Sequence, residues 1–468
     1  MRTILIAAAC LISAHCHAQS IISTIAGNGL QSYSGDGGPA VTAQLSCRSI
    51  CADHHGNIYI ADQFNNRIRK IDAFGTITTV AGNGSSGHSG DGAPAINATL
   101  NGPTAVCLNA VGDLFIADRA NGKVRMVNAA SGIITTVAGN GALAYSGDGA
   151  AATDAGIELP IDICTDSKGD LYIAAWNRVR KVEVATGIIF TFAGNGTDVF
   201  SGDGGPAPDA GLGDIGGICV NANDDLFVSD SRYNRVRRIS RVSGTITTIA
   251  GNGYTELLHE PWDDTYVGDY SGDGGPATAA RLNHPTGLFT DPSGTLFIAD
   301  YYNNVVRAVS PGGIINTVAG NGSGKATLTF SILFYSGDYS GDGAAATAAK
   351  LYGPNDICMD NRGNILIADQ NNNRIRRITN PVGVNNTSSV TQFSLFPNPV
   401  TGSFTVATAQ GGTFSIYDLT GRKLHELALT KGSNSATIPA TMANGNFVGV
   451  FKADNAELVE TVMITVNR

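Results

Sequence analysis

The stretch from Thr24 to Arg69 decides the fold, because the chain repeats it six times. It contains TIAGNG at 24–29, SGDGGPA at 34–40, NIYIAD at 57–62 and NNRIR at 65–69. The AGNG element recurs at intervals of 55, 57, 55, 57 and 69 residues, starting at Ala26, Ala81, Ala138, Ala193, Ala250 and Ala319. A period of this length, made of short β-rich runs and Gly turns, indicates a repeat architecture.

Each repeat predicts four antiparallel strands. In the second copy, residues 104–108, 113–117, 123–127 and 133–137 read as short strands, with turns at Gly112 and Gly132. Four strands with even spacing are typical of one blade of a β-propeller. A repeat array also explains how 468 residues fold without a single oversized core, since each unit buries surface against its neighbours.

The number of blades follows from how the array ends. Six copies of the IAD-type strand occur, and the sixth copy lacks a fourth strand because residues 380–381 read Asn-Pro. A matching strand, IISTIA, occupies residues 21–26 at the other end. We therefore expect an all-β, six-bladed propeller in which the N-terminal strand completes the last blade, leaving no exposed sheet edge.

Composition and charge limit the partners. Charged residues make up 15% of the chain, and the net charge is −9. This balance argues against a nucleic-acid partner, which usually requires a basic face, and against an anionic membrane surface. No apolar run is long enough to span a bilayer. We also expect the protein to be a monomer.

The N-terminus resembles an export signal. Arg2 precedes the apolar run 4–12, and Cys16-His17-Ala18 resembles a small-residue cleavage site before Gln19. Residues 1–18 are therefore predicted to be a signal peptide. A lipoprotein anchor through Cys16 is the alternative, which His15 disfavours because a small residue is expected there.

The cysteines follow the repeat rather than a disulfide pattern. Five of them precede the first hairpin turn by five residues in their blades: Cys51, Cys107, Cys164, Cys219 and Cys358. Equivalent positions on packed sheets lie ~10 Å apart, whereas a disulfide needs Cα atoms within ~7 Å. We expect these thiols to be unpaired small hydrophobes.

The repeated motifs resemble the NHL-repeat family of propellers. The resemblance rests on a Pro at the start of the first strand in four copies, on Gly-Asn/Asp-Leu-Tyr/Phe-Ile-Ala-Asp, and on Asn-x-Arg-Ile/Val-Arg. It covers about residues 21–379, and we assign the propeller to 19–379. The departures are Ala175 for the strand Asp, Asp224 for the turn Gly, and Val305 for the first Arg.

The tail resembles a sorting domain. Residues 380–391 form a polar linker, and 392–468 read as short alternating strands of a small β-sandwich. FSLFPNP at 393–399 followed by IYDLTGRK at 416–423 is similar to the C-terminal sorting domain of type IX secretion cargo. The resemblance implies contact with the type IX machinery and a secreted or cell-surface location; an unspecified accessory β-domain is the alternative.

Three residue types recur on the end of the propeller where the NNR turns and the AGNG–SGDG loops emerge. The first is the Asp of SGDG, such as Asp36, and the second is the aromatic residue or His directly before SGDG, such as Tyr33. The third is an Arg of the third strand, such as Arg69. A group present in every blade is better explained by the blade than by one ligand. We therefore expect structural roles, with a sixfold binding rim as the alternative.

Two adjacent loops on this end are longer. The distance from AGNG to SGDG is 8 residues in four copies and 21 in the last two, so residues 254–270 and 323–339 each contain a 13-residue insertion. Insertions in repeat arrays often form the binding face, and aromatic side chains in loops mark recognition sites. The predicted ligand-binding residues are Tyr254, Trp262, Tyr266, Tyr270, Phe330, Phe334, Tyr335 and Tyr339. The alternative is that the two loops only pack on each other as a lid.

The sequence favours binding over catalysis. It contains no His-Glu-x-x-His and no Gly-x-Ser-x-Gly element, and its histidines occupy unrelated repeat positions. We predict a non-catalytic binding or adhesion module for an extracellular glycan or protein, without a cofactor. The alternatives are a propeller hydrolase or lyase with a metal near the channel, and a purely structural surface component. A Ca²⁺ site in the inserted loops is a further alternative, with these candidate ligands: Asp263, Asp264, Asp269, Asp273, Asp338 and Asp342.

Overall fold

The computed structural model describes residues 20–259, 264–267, 269–324, 327–329, 332–334 and 337–379, and in the tail Thr430 and the strands given below. For residues 256–259, 264–267, 327–329 and 332–334 the backbone alone is described. The chain divides into two units, Met1–Val384 and Asn385–Arg468. The predicted signal peptide and linker lie outside the described residues, so their boundaries remain predictions.

Six four-stranded antiparallel sheets, the blades, make up the N-terminal unit. The strands, numbered in chain order, are as follows for blades 1 to 3: β2 (Cys47–Ala52), β3 (Ile58–Asp62), β4 (Arg67–Ile71), β5 (Ile77–Ala81); β6 (Pro103–Leu108), β7 (Leu114–Asp118), β8 (Lys123–Val127), β9 (Ile134–Ala138); β10 (Pro160–Thr165), β11 (Leu171–Ala175), β12 (Arg178–Val182), β13 (Ile189–Ala193). For blades 4 to 6 they are: β14 (Ile215–Val220), β15 (Leu226–Asp230), β16 (Arg235–Ile239), β17 (Ile246–Ala250); β20 (Pro285–Thr290), β21 (Leu296–Asp300), β22 (Val305–Val309), β23 (Ile315–Ala319); β26 (Pro354–Met359), β27 (Ile365–Asp369), β28 (Arg374–Thr379) and β1 (Ile21–Ala26).

The N-terminal strand closes the ring. Strand β1 pairs antiparallel with β28, with Ile22 opposite Ile378 and Thr24 opposite Arg376. Blade 6 therefore has the strand order β1-β28-β27-β26 and combines the two ends of the propeller sequence. The predicted six-bladed propeller and its closure are confirmed.

The hydrophobic core lies between blades. Each cluster of buried side chains combines the inward face of one blade with its neighbour, and one cluster joins Ile50 and Ile60 of blade 1 to Leu366 and Ile375 of blade 6. Equivalent clusters join the other neighbouring pairs around the ring. This arrangement follows from the strand pattern, since both faces of every blade are covered by another blade.

The first strands of the blades contact one another around the ring axis, and one register position controls how closely they approach. At this position Asp162 accepts the backbone N–H of Ile218 at 2.7 Å, which joins blade 3 to blade 4. Gly217 and Gly287 hold the position in blades 4 and 5. A Cβ on Gly287 would lie 2.6 Å from the carbonyl oxygen of Asn355, so the strand contact requires glycine.

The cysteines predicted to be unpaired are free thiols. The five that share a repeat position line a cavity of about 240 Å³ on the axis. Burial raises the pKa of the Cys51 and Cys358 thiols well above its usual range. These thiols are therefore packing groups rather than nucleophiles.

One-turn 3₁₀ helices occupy two kinds of connection in the described chain. One set follows each SGDG element: Ala40–Thr42, Ala95–Asn97, Ala152–Asp154, Ala207–Asp209, Ala277–Ala279 and Ala346–Ala348. The other set connects the second and third strands of every blade except blade 3: Gln63–Asn65, Arg119–Asn121, Ser231–Tyr233, Tyr301–Asn303 and Gln370–Asn372. In blade 3 this connection shrinks to Trp176 and Asn177.

Each 13-residue insertion contains a β-hairpin. Strands β18 (Glu256–His259) and β19 (Asp264–Val267) form the first, and β24 (Thr327–Thr329) and β25 (Ile332–Phe334) form the second.

The C-terminal unit contains two antiparallel sheets with strand orders β29-β30-β33 and β32-β31-β34-β35. Its strands are β29 (Phe393–Phe396), β30 (Ser403–Thr408), β31 (Gly412–Tyr417), β32 (Lys423–Leu429), β33 (Gly432–Thr437), β34 (Gly445–Ala453) and β35 (Val459–Val466). The described parts of both units are all-β, as predicted.

Candidate functional site

The NNR turns and the AGNG–SGDG loops lie on one end of the propeller, which we call the loop face. Asn65 Nδ2 donates to the Ser32 carbonyl at 2.8 Å, and Arg67 Nη2 donates to the Asn83 carbonyl at 2.8 Å. The turn of each blade thus binds loops before and after it. The two inserted hairpins belong to loops of this face.

The residues that recur in every blade form a structural clasp, defined as the third-strand Arg and the SGDG Asp. In blade 1, Arg69 Nη2 lies 2.6 Å from Asp36 Oδ1, and the arginine side chain is fully buried. Asp36 also accepts hydrogen bonds from Thr79 Oγ1 at 2.7 Å and from the Tyr33 hydroxyl at 2.9 Å. Burial alone would raise the pKa of Asp36, but these hydrogen bonds and the Arg69 charge lower it.

A second carboxylate completes the clasp in five blades. Arg69 Nη1 lies 3.4 Å from Asp62, the last residue of β3, and both side chains are buried. Blade 3 has Ala175 at this position, and among the described residues Arg180 has one carboxylate partner, the SGDG Asp148, at 2.5 Å. The clasp accounts for the recurring Asp and Arg without a ligand.

Two predicted ligand-binding residues are held by clasps. The Tyr270 hydroxyl donates to Asp273 Oδ2 at 2.9 Å, and the Tyr339 hydroxyl donates to Asp342 Oδ2 at 2.8 Å. Tyr33 makes the same contact in blade 1, where no insertion exists. Tyr254 lies elsewhere in its loop, with the Arg281 guanidinium 3.8 Å from its ring centroid.

The other predicted binding residues are described in part or not at all. Tyr266 lies in β19 opposite Leu257, and Phe334 lies in β25 opposite Thr327, but their side chains are outside the description. Trp262, Phe330 and Tyr335 lie outside the described residues. The role of these five aromatic residues remains a prediction.

Four of the carboxylates considered for Ca²⁺ pair with basic side chains. Asp269 contacts Arg281 at 2.9 Å and Asp338 contacts Lys350 at 2.9 Å. Asp273 and Asp342 belong to clasps, with Arg307 and Arg376 as partners. Asp263 lies outside the described residues, as does the side chain of Asp264.

A cavity of about 290 Å³ lies on the ring axis. Every blade contributes to its wall, which identifies it as axial: Arg48, Arg119, Trp176, Ser231, Tyr301 and Gln370 come from blades 1 to 6 in order. Five of these residues belong to second-to-third connections, so the cavity lies at the loop face. We call it the axial cavity.

One wall of the axial cavity is aromatic. The rings of Tyr301 and Tyr302 meet edge to face with centroids 5.0 Å apart, and the His284 ring lies 4.9 Å from Tyr302. Burial, together with the charge of Arg48, lowers the pKa of His284 to about 4. The imidazole is therefore neutral at physiological pH and contributes a ring face rather than a charge.

The cavity wall contains unusual backbone. Leu159, Trp176 and His284 line it with φ of 35°, 54° and 55°. Bulky residues rarely adopt this left-handed region. Gly102 and Gly353 occupy the position of Leu159 and His284 in two other blades, with φ of 61° and 58°. Strain of this kind tends to occur at functional sites.

Two carboxyl groups lie below the axial cavity, in the cavity lined by the cysteines. Asp162 of blade 3 and Asp356 of blade 6 each accept a backbone N–H from the next blade, from Ile218 at 2.7 Å and from Ile50 at 2.9 Å. Burial raises the pKa of both carboxyls, and the charge of Asp356 raises that of Asp162 further.

This pair predicts a pH-dependent stability. A carboxyl whose pKa is raised by folding stabilises the folded state below its ordinary pKa of 3.8, and that contribution is lost as pH rises through the raised value. Asp162→Asn keeps an acceptor for the Ile218 N–H but removes the ionisation. We expect the variant to gain stability relative to the parent between pH 5 and pH 8, measured by urea unfolding. Asp154→Asn, at an exposed site, is the control, and equal pH dependence of Asp162→Asn and the parent would contradict the prediction.

Sequence reasoning missed the axial cavity, although a signal was present. The residue directly after the IAD-type strand differs in nearly every blade: Gln63, Arg119, Trp176, Ser231, Tyr301 and Gln370. The residue before it is Asp in five blades and Ala in blade 3. All of these variable residues except Gln63 line the axial cavity, so variation directly after a near-constant strand was the available signal.

Comparisons with known proteins agree with this fold. A model described as "Secretion system C-terminal sorting domain" matches residues 394–465, and a model of the NHL repeat matches 351–378. Among curated proteins, NHL repeat-containing protein 2 from Bos taurus is 26% identical over 356 residues, which cover 70% of this chain and 45% of that protein. Teneurin-1 from Mus musculus is 27% identical over 286 residues, covering 54% of this chain and 10% of that protein. The chain thus spans less than half the length of these relatives.

Solved structures share the architecture. An auxiliary nutrient binding protein from Bacteroides thetaiotaomicron superposes with a TM-score of 0.51 at 18% identity, covering 77% of this chain and 76% of that one. A second protein of that description, from Bacteroides ovatus, has a TM-score of 0.52 at 14% identity and the same coverage. At these identities the likeness shows the fold alone.

The tail determines where the protein acts. The sorting domain directs export through the type IX secretion system to the cell surface or the extracellular space. In the part of the chain that the structure describes, no helix is long and apolar enough to cross a membrane. The chain is a six-bladed β-propeller with an NHL repeat at residues 351–378, and it carries a C-terminal sorting domain of the type IX secretion system.

Proposed function

We propose that this exported propeller is a non-catalytic binding module for an extracellular glycan or protein, and that it binds at the loop face. One observation carries the proposal: side chains that do not repeat between blades meet in the axial cavity, at the face whose loops contain the two hairpins. A concave site with aromatic walls and a few polar groups is typical of ligand pockets.

Export supports an extracellular ligand, since the sorting domain places the propeller outside the cell. Propellers of the same architecture from two Bacteroides species are described as auxiliary nutrient binding proteins. We transfer only the general idea of ligand capture from them, because the shared identity is low.

The geometry favours binding over a hydrolase or lyase. A hydrolytic nucleophile needs a base within hydrogen-bond reach, itself oriented by a third group. Among the described residues, the His284 imidazole forms no hydrogen bond to a carboxylate or hydroxyl. The imidazole instead packs against Tyr302.

The test is a glycan array together with a pull-down from cell surfaces, using the full secreted chain. The matched variant lacks residues 255–267 and 324–336, which returns both inserted loops to the length of the other four. We expect the parent to bind and the trimmed protein, still folded by circular dichroism, to bind more weakly.

The outcomes separate the proposals. Absence of any ligand for the parent would overturn the binding function. Equal binding by parent and trimmed protein would exclude the hairpins, and with them the predicted aromatic residues, as part of the site. Turnover of a bound glycan by the parent would favour the enzyme alternative.

A further inference from the structure

Two half-buried arginines of the axial cavity, Arg48 and Arg119, differ from the six fully buried clasp arginines. Each clasp arginine has a carboxylate oxygen within 2.8 Å. In contrast, neither Arg48 nor Arg119 forms an ion pair with any described residue. The fully buried arginines are thus paired, whereas these two half-buried arginines line the cavity on the axis, where Asp214 is the one acidic residue among the lining residues.

Arg48 and Arg119 line the same cavity, and the charge of one affects the other. Burial and then the charge of Arg119 lower the pKa of Arg48, and Tyr301, Asp162 and Asp356 offset this only in part. Like charges held together without a partner favour an anion that would contact both. Planar guanidinium groups match carboxylate and sulfate oxygens in two-point hydrogen bonds.

The aromatic wall of the cavity provides a surface against which the apolar face of a ligand ring can pack. Tyr301, Tyr302 and His284 form a continuous cluster with centroid distances of 4.9 to 6.1 Å. Trp176, 48% exposed, adds a further ring at the rim. Amphipathic aromatic rings suit a ligand that is apolar on one face and polar at its edge.

An unsatisfied acceptor lies in the same wall. Gln370 Oε1 is buried and has no hydrogen-bond partner among the described residues. Buried polar atoms rarely lack a hydrogen-bond partner. A ligand hydroxyl that donates to this oxygen would satisfy it.

We propose that the axial cavity binds an anionic sugar, a saccharide unit bearing a carboxylate or sulfate group. Arg48 and Arg119 bind the anionic group, the Tyr301–Tyr302–His284 wall packs against the ring, and Gln370 accepts from a hydroxyl. A cavity of about 290 Å³ has room for one such unit. This inference rests on the proposed binding function and specifies its ligand.

The experiment is isothermal titration of the full secreted chain with three oligosaccharides of equal length. They are an oligogalacturonide, a sulfated galactan fragment and the neutral galactan fragment. The variants are Arg48→Ala, Arg119→Ala and the control Arg362→Ala, which removes an exposed arginine from a first-to-second-strand turn at the opposite end. Thermal melting of each variant verifies that it is folded.

We expect one acidic oligosaccharide to bind and the neutral one to bind at least about tenfold more weakly, the value of one charge-assisted contact. Arg48→Ala and Arg119→Ala should each weaken acidic binding by a similar factor, and Arg362→Ala should not. Raising the salt concentration should weaken acidic binding in the parent. Comparison of the oligogalacturonide with the sulfated galactan fragment shows whether the cavity prefers a carboxylate or a sulfate group.

Other results would overturn the inference. Equal affinity for neutral and acidic sugars, or acidic binding unaffected by Arg48→Ala and Arg119→Ala, would show that the cavity is not an anionic-sugar site. If no saccharide binds while a cell-surface protein is captured through the hairpins, the inference fails and the proposed function stands. If Arg48→Ala does not fold, Arg119→Ala and Tyr301→Ala test the role of the cavity in its place.

Discussion

Deleting residues 20–26 is expected to prevent the propeller from folding as a closed ring. The deletion removes β1, whose Ile22 and Ala26 are fully buried, and exposes the edge of β28. Ile22 packs with Phe297 and Ala299 of blade 5 as well as with Ile378 of its own blade. Burying one such side chain contributes about 1.5–3 kcal/mol, and an open edge of a long strand promotes aggregation.

A circular permutant provides the matched control. It contains residues 32–379, then a copy of the turn 72–76, then residues 20–31, so that blade 6 forms from one continuous segment. Size-exclusion chromatography and thermal melting should show a folded monomer for the permutant and aggregated or unfolded material for the deletion. A deletion variant that melts like the parent would show that β1 does not close the ring.

Replacing a clasp arginine should have the second large effect. In blade 2, Arg125 is fully buried, 2.7 Å from Asp91 and 3.6 Å from the buried Asp118. Arg125→Ala leaves Asp118 without its cation, although burial already raises the pKa of that carboxyl to about 6. Removing one partner of a buried ion pair costs about 3–5 kcal/mol, which urea unfolding would measure.

Blade 3 supplies the comparison for this experiment. It has Ala175 in place of the strand Asp, yet Arg180 remains buried and paired with Asp148. Asp118→Ala reproduces this natural arrangement in blade 2. We expect it to lose much less stability than Arg125→Ala, and equal losses would mean that the second carboxylate is as important as the arginine.

The sequence was informative wherever a feature repeats. Six copies of the same strands, turns and clasp residues predicted the blade, the number of blades and the closing strand, because each contact lies within one repeat or between equivalent positions. The structural interpretation of the SGDG Asp and third-strand Arg is confirmed by pairs such as Arg69 and Asp36. Tyr270 and Tyr339 were assigned to ligand binding because they border the insertions, yet both bind their clasp Asp.

The axial cavity depended on the tertiary structure. Arg48, Arg119 and Tyr301 occupy repeat positions whose residue varies from blade to blade, and they are separated by up to 253 residues in the chain. Ring closure places one residue from every blade around a common axis, so side chains that share no local pattern become neighbours. The sequence by itself determined the blades, their number and the sorting tail, because local periodicity and motifs specify these. The tertiary structure alone decided which non-repeating side chains meet. Each blade is rotated about the ring axis relative to the one before it, and only the closed ring brings residues from all six blades together.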